Sequence, residues 1–437
     1  MLDETWSWKS WIPSANTPGC DFPLQNLPFC VVRAAGGDLH LGVGIGDFVL
    51  DLHGAAREGL LASLPEPLLQ ACLSPDLNLL MQCGPEATSL LRRELIAILA
   101  EGHATPARAK IDLLLSTRTS AIFEKPVSVP NYTDFYSSIH HAMNVGRLFR
   151  PDQPLLPNYK FIPIGYHGRA SSLVISGTTI RRPSGQTKHP DADLPTFGPC
   201  TQLDYEIEVG AYIGRGNTLG HPISISDANR HIFGLSLIND WSARDIQSWE
   251  YQPLGPFLGK SFATTVSPWV VTMEALAPFR VPVPPRPVGD PETLPYLRSS
   301  PMATAAIDMH LEVYLSSHAM RAASMPPLRL SAGNLCDLYW SFEQMVTHHA
   351  SNGCNLLPGD LLACGTVSGM SDGSRGSLLE ITRRGATPFE LPSGERRHFL
   401  EDGDEVILCG FCEAPGLPRI GLGECRGVVV PADGSAS

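Results

Sequence analysis

The sequence predicts a β-dominated α+β fold, with a small N-terminal β-barrel-like domain followed by a large mixed β-roll or sandwich domain. A chain of 437 residues has room for about two or three domains. From Tyr132 onward, short apolar runs are separated by turn signals such as Ser176-Gly177 and Pro358–Asp360, a spacing typical of strands. Up to Glu124 the pattern differs, with a few strands and one long helix. We therefore divide the chain into residues 1–124 and 125–437.

The first domain is predicted to contain short strands joined by tight turns, followed by a long helix. A helix beginning at Pro85 fits because proline is tolerated in a first helical turn, and Gly102 supplies the stop. The glycine-rich stretch Gly42–Gly46 precedes another strand and not a helix, which argues against a dinucleotide-binding loop. The predicted elements are strands at Val31–Arg33, Leu39–Ile45 and Phe48–Leu52, a turn at Gly46-Asp47 and a helix at Pro85–Glu101.

Three segments of the second domain have distinctive local patterns. Arg280–Pro301 holds seven prolines and is predicted to be a long surface loop. Apolar residues at helical spacing predict a helix from Ser331 onward. Cys409 and Cys412 match a CxxC motif, but they lie in an apparent strand, which sends residues three apart to opposite faces. We therefore expect structural cysteines there and no zinc site.

Composition and charge restrict the possible partners. A net charge of -12 disfavours nucleic acid and anionic membranes, although local arginines or a bound cation still permit an anionic substrate. The N-terminus lacks the pattern of a secretory signal, and no apolar run approaches the roughly 20 residues of a membrane span. The 11 cysteines are scattered without framework spacing, which fits a reducing compartment. We expect a cytoplasmic protein.

The segment Asn239–Trp269 is the strongest indication of a functional site. It places charged, amide and hydroxyl side chains among residues of buried type, whereas a segment that only filled a core would be mostly aliphatic and aromatic. Asp240 follows the apolar run Ile232–Ile238, at the expected end of a buried strand, where an unpaired carboxylate is costly. We expect this segment to form one wall of a site.

Leu203–Val209 alternates strictly between apolar and acidic residues. Asp204, Glu206 and Glu208 share one face of the predicted strand, where they repel one another unless they are solvated or share a cation. A half-exposed strand with a wet acidic face and a Ca²⁺ or Mg²⁺ site both fit this pattern. The expected burial of Asp240 favours the cation.

A pair of histidines lies in the segment Asp134–Phe149, which is predicted to be a helix capped near Thr133 or Asp134. On a helix, His140 and His141 point about 100° apart, so only one of them can face a given site. A single histidine is more often structural than catalytic, and the pair favours a catalytic role for one of them only modestly.

Long motifs in this chain closely resemble those of the fumarylacetoacetate hydrolase (fumarylacetoacetase) family, whose members hydrolyse a carbon–carbon bond. The resemblance extends over nearly the whole chain and is looser in the first domain. Motifs of this length do not recur by chance. They are YTDFYSS, PIGYHGRASS, NDWSARDIQ, PLGPFLGKSF and THHASNGCNLLPGDLL.

The resemblance implies a divalent cation, Ca²⁺ or Mg²⁺, bound by four carboxylates in matching sequence contexts. It also places a lysine and a threonine of the GKSFATT stretch beside the metal. The implied ligands are Asp134, Glu206, Glu208 and Asp240, and the neighbouring residues are Lys260 and Thr264.

The resemblance further selects His141 as general base and Glu380 as the carboxylate that orients it. We expect Glu380 on a strand, facing away from its apolar neighbours; there it would stabilise the imidazolium formed when water is deprotonated. Attack on a ketone creates an oxyanion, which needs donors held in place beforehand. The implied oxyanion donors are Arg244, Gln247 and Lys260, and the implied substrate contacts are Tyr136, Arg150, Tyr166, Arg244, Gln247, Tyr251 and Thr366.

The implied reaction is hydrolysis of 4-fumarylacetoacetate, a small anionic diketone, to fumarate and acetoacetate, the last step of tyrosine and phenylalanine degradation. The resemblance also implies a homodimer. Two alternatives use the same fold: a hydrolase, decarboxylase or isomerase acting on another acylpyruvate, and a cation-stabilised scaffold without catalysis. A serine hydrolase using Ser371 is a further alternative, because Gly369–Gly373 matches G-x-S-x-G; however, a Gly/Ser loop follows where that motif needs a helix.

Two residues depart from the family pattern. Asn131 stands where an aspartate is expected before the YTDFYSS motif, and Ala263 stands where a glycine is expected beside Thr264. Neither departure removes a proposed ligand, but the methyl group of Ala263 lies near the expected metal.

Overall fold

An antiparallel sheet, here called the N-terminal sheet, forms the core of the first part of the chain. A computed structural model of the protein describes residues 4–102, 108–300 and 304–434. Residues 118–122 join the two edge strands of the sheet. Its strands, in order, are Leu115–Thr117, Phe48–Asp51, Leu39–Ile45, Phe29–Arg33 and Phe123–Glu124, and the helices around it are Leu52–Arg57, Glu66–Cys72, Asn78–Cys83, Pro85–Leu99 and Arg108–Leu114.

A mixed sheet, here called the central sheet, runs through the second part of the chain. Its middle strands, Ile207–Ile213 and Ile232–Asp240, are buried along their full length. Side chains at the ends of these strands therefore enter the protein interior. In order, the strands are Gly165–His167, Tyr132–Phe135, Leu361–Ala363, Ile207–Ile213, Ile232–Asp240, Thr264–Val266 and Leu173–Ile175, with Val271–Thr272 also paired to Ile232–Asp240.

Both faces of the central sheet are covered, which confirms the predicted β-dominated α+β class. On one face, Leu237 shares an apolar core with Leu408 of a second sheet, here called the C-terminal sheet. On the other face, Ile238 packs in a core with Leu41 of the N-terminal sheet. The first part of the chain thus covers the back of the sheet that carries the acidic strand. The C-terminal sheet contains, in order, Leu328–Asn334, His310–Ser316, Glu405–Cys412, Ile420–Val430 and Ile180–Arg181.

Shorter elements connect these sheets. The remaining helices are Ile139–Phe149, Arg244–Glu250, Met273–Leu276, His318–Ala322, Phe342–Ala350 and Leu378–Ile381. The two-stranded pairs are Ser184–Thr187 with Thr196–Pro199, Leu203–Asp204 with Ser242–Ala243, Arg280–Val281 with Ala306–Ile307, and Phe389–Glu390 with Arg396–Arg397. Across the described ranges, no helix has both the length and the apolar character needed to cross a membrane.

Predictions for the first part of the chain agree with the structure to within two residues at each boundary. The stretch Gly42–Gly46 lies mostly in a strand and is followed by the strand Phe48–Asp51 and not by a helix, as predicted. The proline-rich segment is a loop up to Ser300, interrupted only by short elements. Cys409 and Cys412 lie in one strand as unpaired cysteines, as expected.

Two helix predictions in the second part were wrong. Ser331 lies in a strand of the C-terminal sheet, and the helix begins only at Phe342, where Ser341 provides a capping box. Asp134 lies in a strand that pairs with Leu361–Ala363, and the next helix begins at Ile139 after the cap Ser138. In both cases sheet pairing prevails over local helical spacing, with the preceding strand His310–Ser316 for Ser331 and with the distant strand Leu361–Ala363 for Asp134.

Candidate active site

A cavity of about 410 Å³ lies beside the strand ends that carry the predicted site residues. A larger cleft of about 820 Å³ lies near the N-terminus, but no predicted site residue lines it. The predicted catalytic and metal residues that line the smaller cavity are Asp134, His141, Glu206, Glu208, Arg244 and Lys260. The predicted substrate contacts that line it are Tyr136, Arg150, Tyr166, Gln247, Tyr251 and Thr366. Asp240 and Glu380 lie behind these residues and contact Lys260 and His141 directly, and Thr264 contacts Asp240.

Strand pairing brings three carboxylates of the site together. Ile207 pairs with Asn239, so Asp240 follows next to the start of the acidic strand, and Asp134 lies on a neighbouring strand beside Ala363. Oxygen atoms of Asp134, Glu208 and Asp240 all lie within 4.8 Å of one another. This is a spacing at which one hard cation can bind all three.

Two of these carboxylates, Asp134 and Glu208, have too few protein partners for their burial. Both carboxylate oxygens of Glu208 and Oδ1 of Asp134 are buried without a hydrogen-bond partner in the described part of the chain. Burial raises the pKa of Asp134, Glu208 and Asp240, and repulsion from neighbouring carboxylates, including Glu206, adds to this, while Lys260 opposes the rise. A cation bound among them would satisfy the unpaired oxygens and remove the repulsion, so the residues fit a divalent metal.

The acidic segment Leu203–Val209 was predicted to be one strand, which is wrong: Leu203–Asp204 pairs with Ser242–Ala243, and the strand of the central sheet begins only at Ile207. The acidic side chains of this segment are buried, so the alternative of a wet acidic face is also wrong. Asp204 and Glu208 are 0 % exposed and Glu206 is 5 % exposed. Sequence alternation indicates which residues share a face, but it does not show what covers that face. Here Arg244 and Lys260 are paired with Glu206, and Asp134 and Asp240 lie close to Glu208.

Lys260 bridges two of the buried carboxylates. Its Nζ atom lies 2.5 Å from Oδ2 of Asp240 and 2.5 Å from Oε2 of Glu206. Burial acts to lower the pKa of this ammonium group, but the two carboxylates outweigh burial and raise it. The Thr264 hydroxyl donates to Oδ1 of Asp240 at 2.7 Å, and Tyr166 donates to its Oδ2 at 3.4 Å.

Arg244, the first residue of the helix Arg244–Glu250, forms ion pairs with two carboxylates of the acidic segment. Its Nη1 lies 2.7 Å from Oε1 of Glu206, and its Nε donates to Oδ2 of Asp204 at 2.9 Å. Burial would raise the pKa of Glu206, but Lys260 and Arg244 lower it well below its usual range. Glu206 therefore lies beside the three clustered carboxylates as an ionised group already paired with two cations.

Gln247 is oriented by Arg244 one helical turn earlier. The two residues are three apart on the helix Arg244–Glu250 and so share a face. Nη1 of Arg244 donates to Oε1 of Gln247 at 3.2 Å. Since this bond uses the amide oxygen, the Gln247 nitrogen keeps both hydrogens for other acceptors, and within the described residues it makes no hydrogen bond.

His141 and Glu380 form a buried pair at the cavity wall. Nδ1 of His141 lies 2.7 Å from Oε2 of Glu380, whose other oxygen accepts a hydrogen bond from Asn144 at 2.8 Å. The hydroxyls of Ser368 and Ser377 also donate to Oε2, at 3.0 and 2.9 Å. Burial would raise the pKa of Glu380, but His141 and these hydrogen bonds lower it to about 2. An ionised acceptor at Nδ1 holds the proton there and leaves Nε2 as a proton acceptor.

The prediction that Glu380 lies on a strand was wrong, because it lies in the short helix Leu378–Ile381. The backbone N–H groups of Leu378 and Leu379 donate to the carboxylate of Asp204 at 2.7 and 2.9 Å. A carboxylate that accepts the first amides of a helix stabilises that terminus. The helix thus depends on a residue remote in sequence, which local pattern cannot reveal.

Several residues that hold this site together were not singled out from the sequence. Asp204 was placed on the acidic strand but given no role, although its burial beside Arg244 makes it a central support. Asn144 lies three residues after His141, at a helical spacing that was a usable signal. Ser368 and Ser377 gave no signal, because serines in a glycine-rich loop are common.

The serine-hydrolase motif does not form a nucleophile elbow. Ser371 is exposed, and its hydroxyl bonds to Ser374 at 3.0 Å. A single 3₁₀ turn, Asp372–Ser374, occupies the place where the motif needs a helix. No histidine hydrogen-bonds to Ser371 within the described residues.

Both departures from the family pattern are accommodated. The side-chain amide and backbone N–H of Asn131 donate to Oδ1 of Asp360 at 2.9 and 3.1 Å. An aspartate at position 131 would instead face this carboxylate with a second negative charge. Ala263 is buried in the main apolar core beside Thr264.

Two family models match the chain. The model described as fumarylacetoacetate (FAA) hydrolase C-terminal matches residues 131–430, and the model described as fumarylacetoacetase N-terminal matches residues 25–124. Together these matches span most of the chain and include every predicted site residue.

Proteins of known name resemble the chain over nearly its full length. It is 46% identical over 432 residues to fumarylacetoacetase of Homo sapiens, covering 97% of this chain and 99% of that protein. It is also 46% identical over 423 residues to fumarylacetoacetase of Caenorhabditis elegans, covering 94% and 97%. A solved fumarylacetoacetate hydrolase from Exiguobacterium antarcticum shares the fold, with a TM-score of 0.52 at 17% identity over 93% of this chain and 99% of that one.

Proposed function

The chain belongs to the fumarylacetoacetate hydrolase family, and on that premise we propose that it hydrolyses 4-fumarylacetoacetate to fumarate and acetoacetate. It is a hydrolase, and this reaction is the last step of tyrosine and phenylalanine degradation. One observation supports the proposal above the others: His141, paired with Glu380, lines the same cavity as Asp134 and Glu208 of the carboxylate cluster. A base and a cation-binding group in one cavity are what hydrolysis of a diketone requires.

His141 acts as the general base. Glu380 keeps a proton on Nδ1, so Nε2 takes one proton from a water molecule in the cavity. The resulting hydroxide oxygen forms a bond to the ketone carbon next to the alkene. The imidazolium that remains is stabilised by the ionised Glu380, whose pKa of about 2 keeps it charged at neutral pH.

Arg244, Gln247 and Lys260 supply donors for the oxyanion that this attack creates. The amide nitrogen of Gln247 is directed by the bond between its oxygen and Arg244. Lys260 and Arg244 remain cationic because their carboxylate partners raise their pKa values. Donors fixed before the reaction need no reorganisation when the negative charge forms.

The carbon–carbon bond breaks when the oxyanion collapses. The electron pair of that bond moves to the methylene carbon of the departing acetoacetate half. The imidazolium of His141 then returns its proton to this carbon, which restores the base and balances the reaction. Fumarate carries the oxygen that came from water.

A divalent cation held by Asp134, Glu206, Glu208 and Asp240 would supply positive charge for the diketone oxygens and for the enolate that develops. We propose Ca²⁺ or Mg²⁺, because both prefer carboxylate oxygens. Lys260 and Thr264 support this group through Asp240, since both donate to its carboxylate.

The rest of the cavity positions the substrate. The ring of Tyr136 contacts the His141 ring edge-on at 5.3 Å, so this residue helps to shape the space in front of the base. Arg150, Tyr166, Tyr251 and Thr366 line the same cavity and supply polar groups for the carboxylates and ketones. A substrate with carboxylates at both ends matches a cavity that mixes cationic and apolar walls.

Product analysis tests the reaction directly. The purified protein is incubated with 4-fumarylacetoacetate, and fumarate and acetoacetate are quantified by nuclear magnetic resonance. Equal amounts of the two products are expected, with none from His141→Ala. Release of carbon dioxide without fumarate would instead assign a decarboxylase on the same fold. If His141→Ala hydrolysed the substrate at the wild-type rate, His141 would not be the general base, and the mechanism would be contradicted.

Three further features belong to the proposal. We propose a homodimer, a cytoplasmic location, and a domain boundary between residues 124 and 125. The dimer is tested by size-exclusion chromatography with light scattering, where a mass near twice 47.2 kDa is expected. A single species near 47.2 kDa at the assay concentration would contradict the proposed homodimer.

A further inference from the structure

Two arginines that line the cavity have no acidic partner among the described residues. Arg244 and Lys260 are each paired with two carboxylates, and they serve the reaction centre. Arg150 and Arg384 line the same cavity, but neither forms an ion pair with an acidic residue in the part of the chain that the structure describes. Two unpaired guanidinium groups in one cavity indicate that a bound anion completes their surroundings. Arg150 has a proposed role already, whereas Arg384 has none.

Arg384 is held at the edge of the cavity by an aromatic contact. Its guanidinium carbon lies 4.8 Å from the centre of the Phe149 ring, which also lines the cavity. Phe149 ends the helix that carries His141, two turns earlier. Stacking on an aromatic face uses the flat side of a guanidinium and leaves its N–H edge available for a carboxylate.

The backbone that carries Arg384 is unusual and well fixed. Arg383 and Arg384 have φ values of +49° and +60°, in the left-handed region that non-glycine residues adopt only at an energetic cost. The N–H of Arg384 donates to the carbonyl of Leu379 at 2.8 Å, which closes the turn after the Glu380 helix. The turn that carries Arg384 is therefore joined directly to the partner of the general base.

We propose that Arg384 binds a terminal carboxylate of the diketone substrate and so contributes to selection of dianionic substrates. This inference rests on the proposed function and adds a contact that the family resemblance did not supply. Arg384 and Arg150 then provide one cationic region at the cavity mouth, separate from Arg244 and Lys260 at the reaction centre. A substrate without the corresponding carboxylate would leave Arg384 unpaired and bind more weakly.

Steady-state kinetics of Arg384→Gln test the proposal, with Arg383→Gln as the matched control. Arg383 is the adjacent arginine, is also exposed and left-handed, and does not line the cavity. We expect Arg384→Gln to raise KM about fivefold with kcat changed less than about twofold, because one charge-assisted contact at a solvent-exposed position is lost. Arg384→Lys, which keeps the charge but loses the planar fork, should recover part of the affinity.

Inhibition by the two products provides a second readout. The inhibition constant of either fumarate or acetoacetate should rise about fivefold in Arg384→Gln, which identifies the carboxylate that is bound. Equal KM values and equal inhibition constants in Arg384→Gln and Arg383→Gln would overturn this inference and leave the proposed function intact. Absence of turnover by the folded wild-type protein would overturn both.

Discussion

Nδ1 of His141 lies 2.7 Å from Oε2 of Glu380, and both side chains are buried, with exposures of 3 % and 1 %. This contact joins a helix near the start of the second domain to a short helix 239 residues later in the chain. The proposed role of the Glu380 carboxylate is to orient the imidazole of His141 and to stabilise its protonated form. The proposed mechanism therefore depends on this pair more than on any other contact.

We expect Glu380→Gln to lower kcat by about 10²–10⁴, because a neutral amide neither fixes the Nδ1 proton nor stabilises the imidazolium. The measurement is kcat for the variant, with thermal unfolding to confirm that it folds. His140→Ala is the matched control, since this neighbouring histidine does not line the cavity and its loss should change kcat less than about twofold. Equal activity of both variants would rule out Glu380 as the orienting group.

The pKa of Glu380 also predicts a pH dependence of stability. In the folded protein it is lowered from 4.5 to about 2, so the ionised carboxylate stabilises the folded state above pH 4.5. This stabilisation, of the order of 3 kcal/mol, is lost as the pH falls through about 2. The difference in unfolding free energy between wild type and Glu380→Gln should therefore shrink as the pH is lowered from 4.5. A constant difference between pH 7 and pH 3 would contradict this assignment.

Two neighbours on the acidic strand should respond oppositely to removal of charge. Glu206 is paired with Lys260 and Arg244, so Glu206→Gln should lower the unfolding free energy by about 3 kcal/mol. Glu208 has no hydrogen-bond partner among the described residues, so in chelator Glu208→Gln should raise the unfolding free energy by about 1 kcal/mol. Urea unfolding in chelator measures both.

Addition of Ca²⁺ or Mg²⁺ should then separate these variants further. The cation should raise the melting temperature of the wild-type protein and not that of Glu208→Gln, because a ligand is missing. If Glu208→Gln is destabilised in chelator as strongly as Glu206→Gln, the view of Glu208 as an uncompensated carboxylate is wrong.

Asp204 is expected to act as a structural support. Its carboxylate is 0 % exposed and accepts hydrogen bonds from Arg244 and from the first amides of the Glu380 helix. Asp204→Asn should lower the unfolding free energy by about 3–5 kcal/mol, because Arg244 loses a buried counter-charge. Denaturant unfolding measures the change. A loss below 1 kcal/mol would show that Glu206 alone suffices for Arg244.

Ser371→Ala distinguishes the proposed mechanism from serine hydrolysis. Ser371 is exposed and has no histidine partner in the described part of the chain, so we expect kcat to remain within about twofold of wild type. Loss of activity in a folded Ser371→Ala variant would support the serine-hydrolase alternative over the proposed mechanism.

Much of the site could be predicted from the sequence, because charged residues that are buried occur next to apolar runs. Asp240 follows an apolar run, and the structure places it at the end of a fully buried strand. The acidic alternation of Glu206 and Glu208 was visible, but its burial was not, because the side chains beside them, such as Asp134 and Lys260, come from other segments of the chain. Family motifs, and not spacing, selected the residues that line the cavity.

Other features required the fold. The segment around Glu380 has a pattern that fits a strand, and its helix forms because Asp204 accepts the first amides. Arg384 carries no motif of its own, and only the left-handed turn after that helix places it beside Phe149. Long-range hydrogen bonds and pairing decide these positions, so local propensity could not.

The most direct measurement follows the ultraviolet absorbance of 4-fumarylacetoacetate with the wild-type protein before chelation, after chelation, and after addition of Ca²⁺ or Mg²⁺. We predict that the absorbance falls with the untreated protein, that chelation stops this change, and that one of the two ions restores it. Constant absorbance with folded, metal-replete protein would contradict the assigned reaction, and other acylpyruvates would then be the substrates to test.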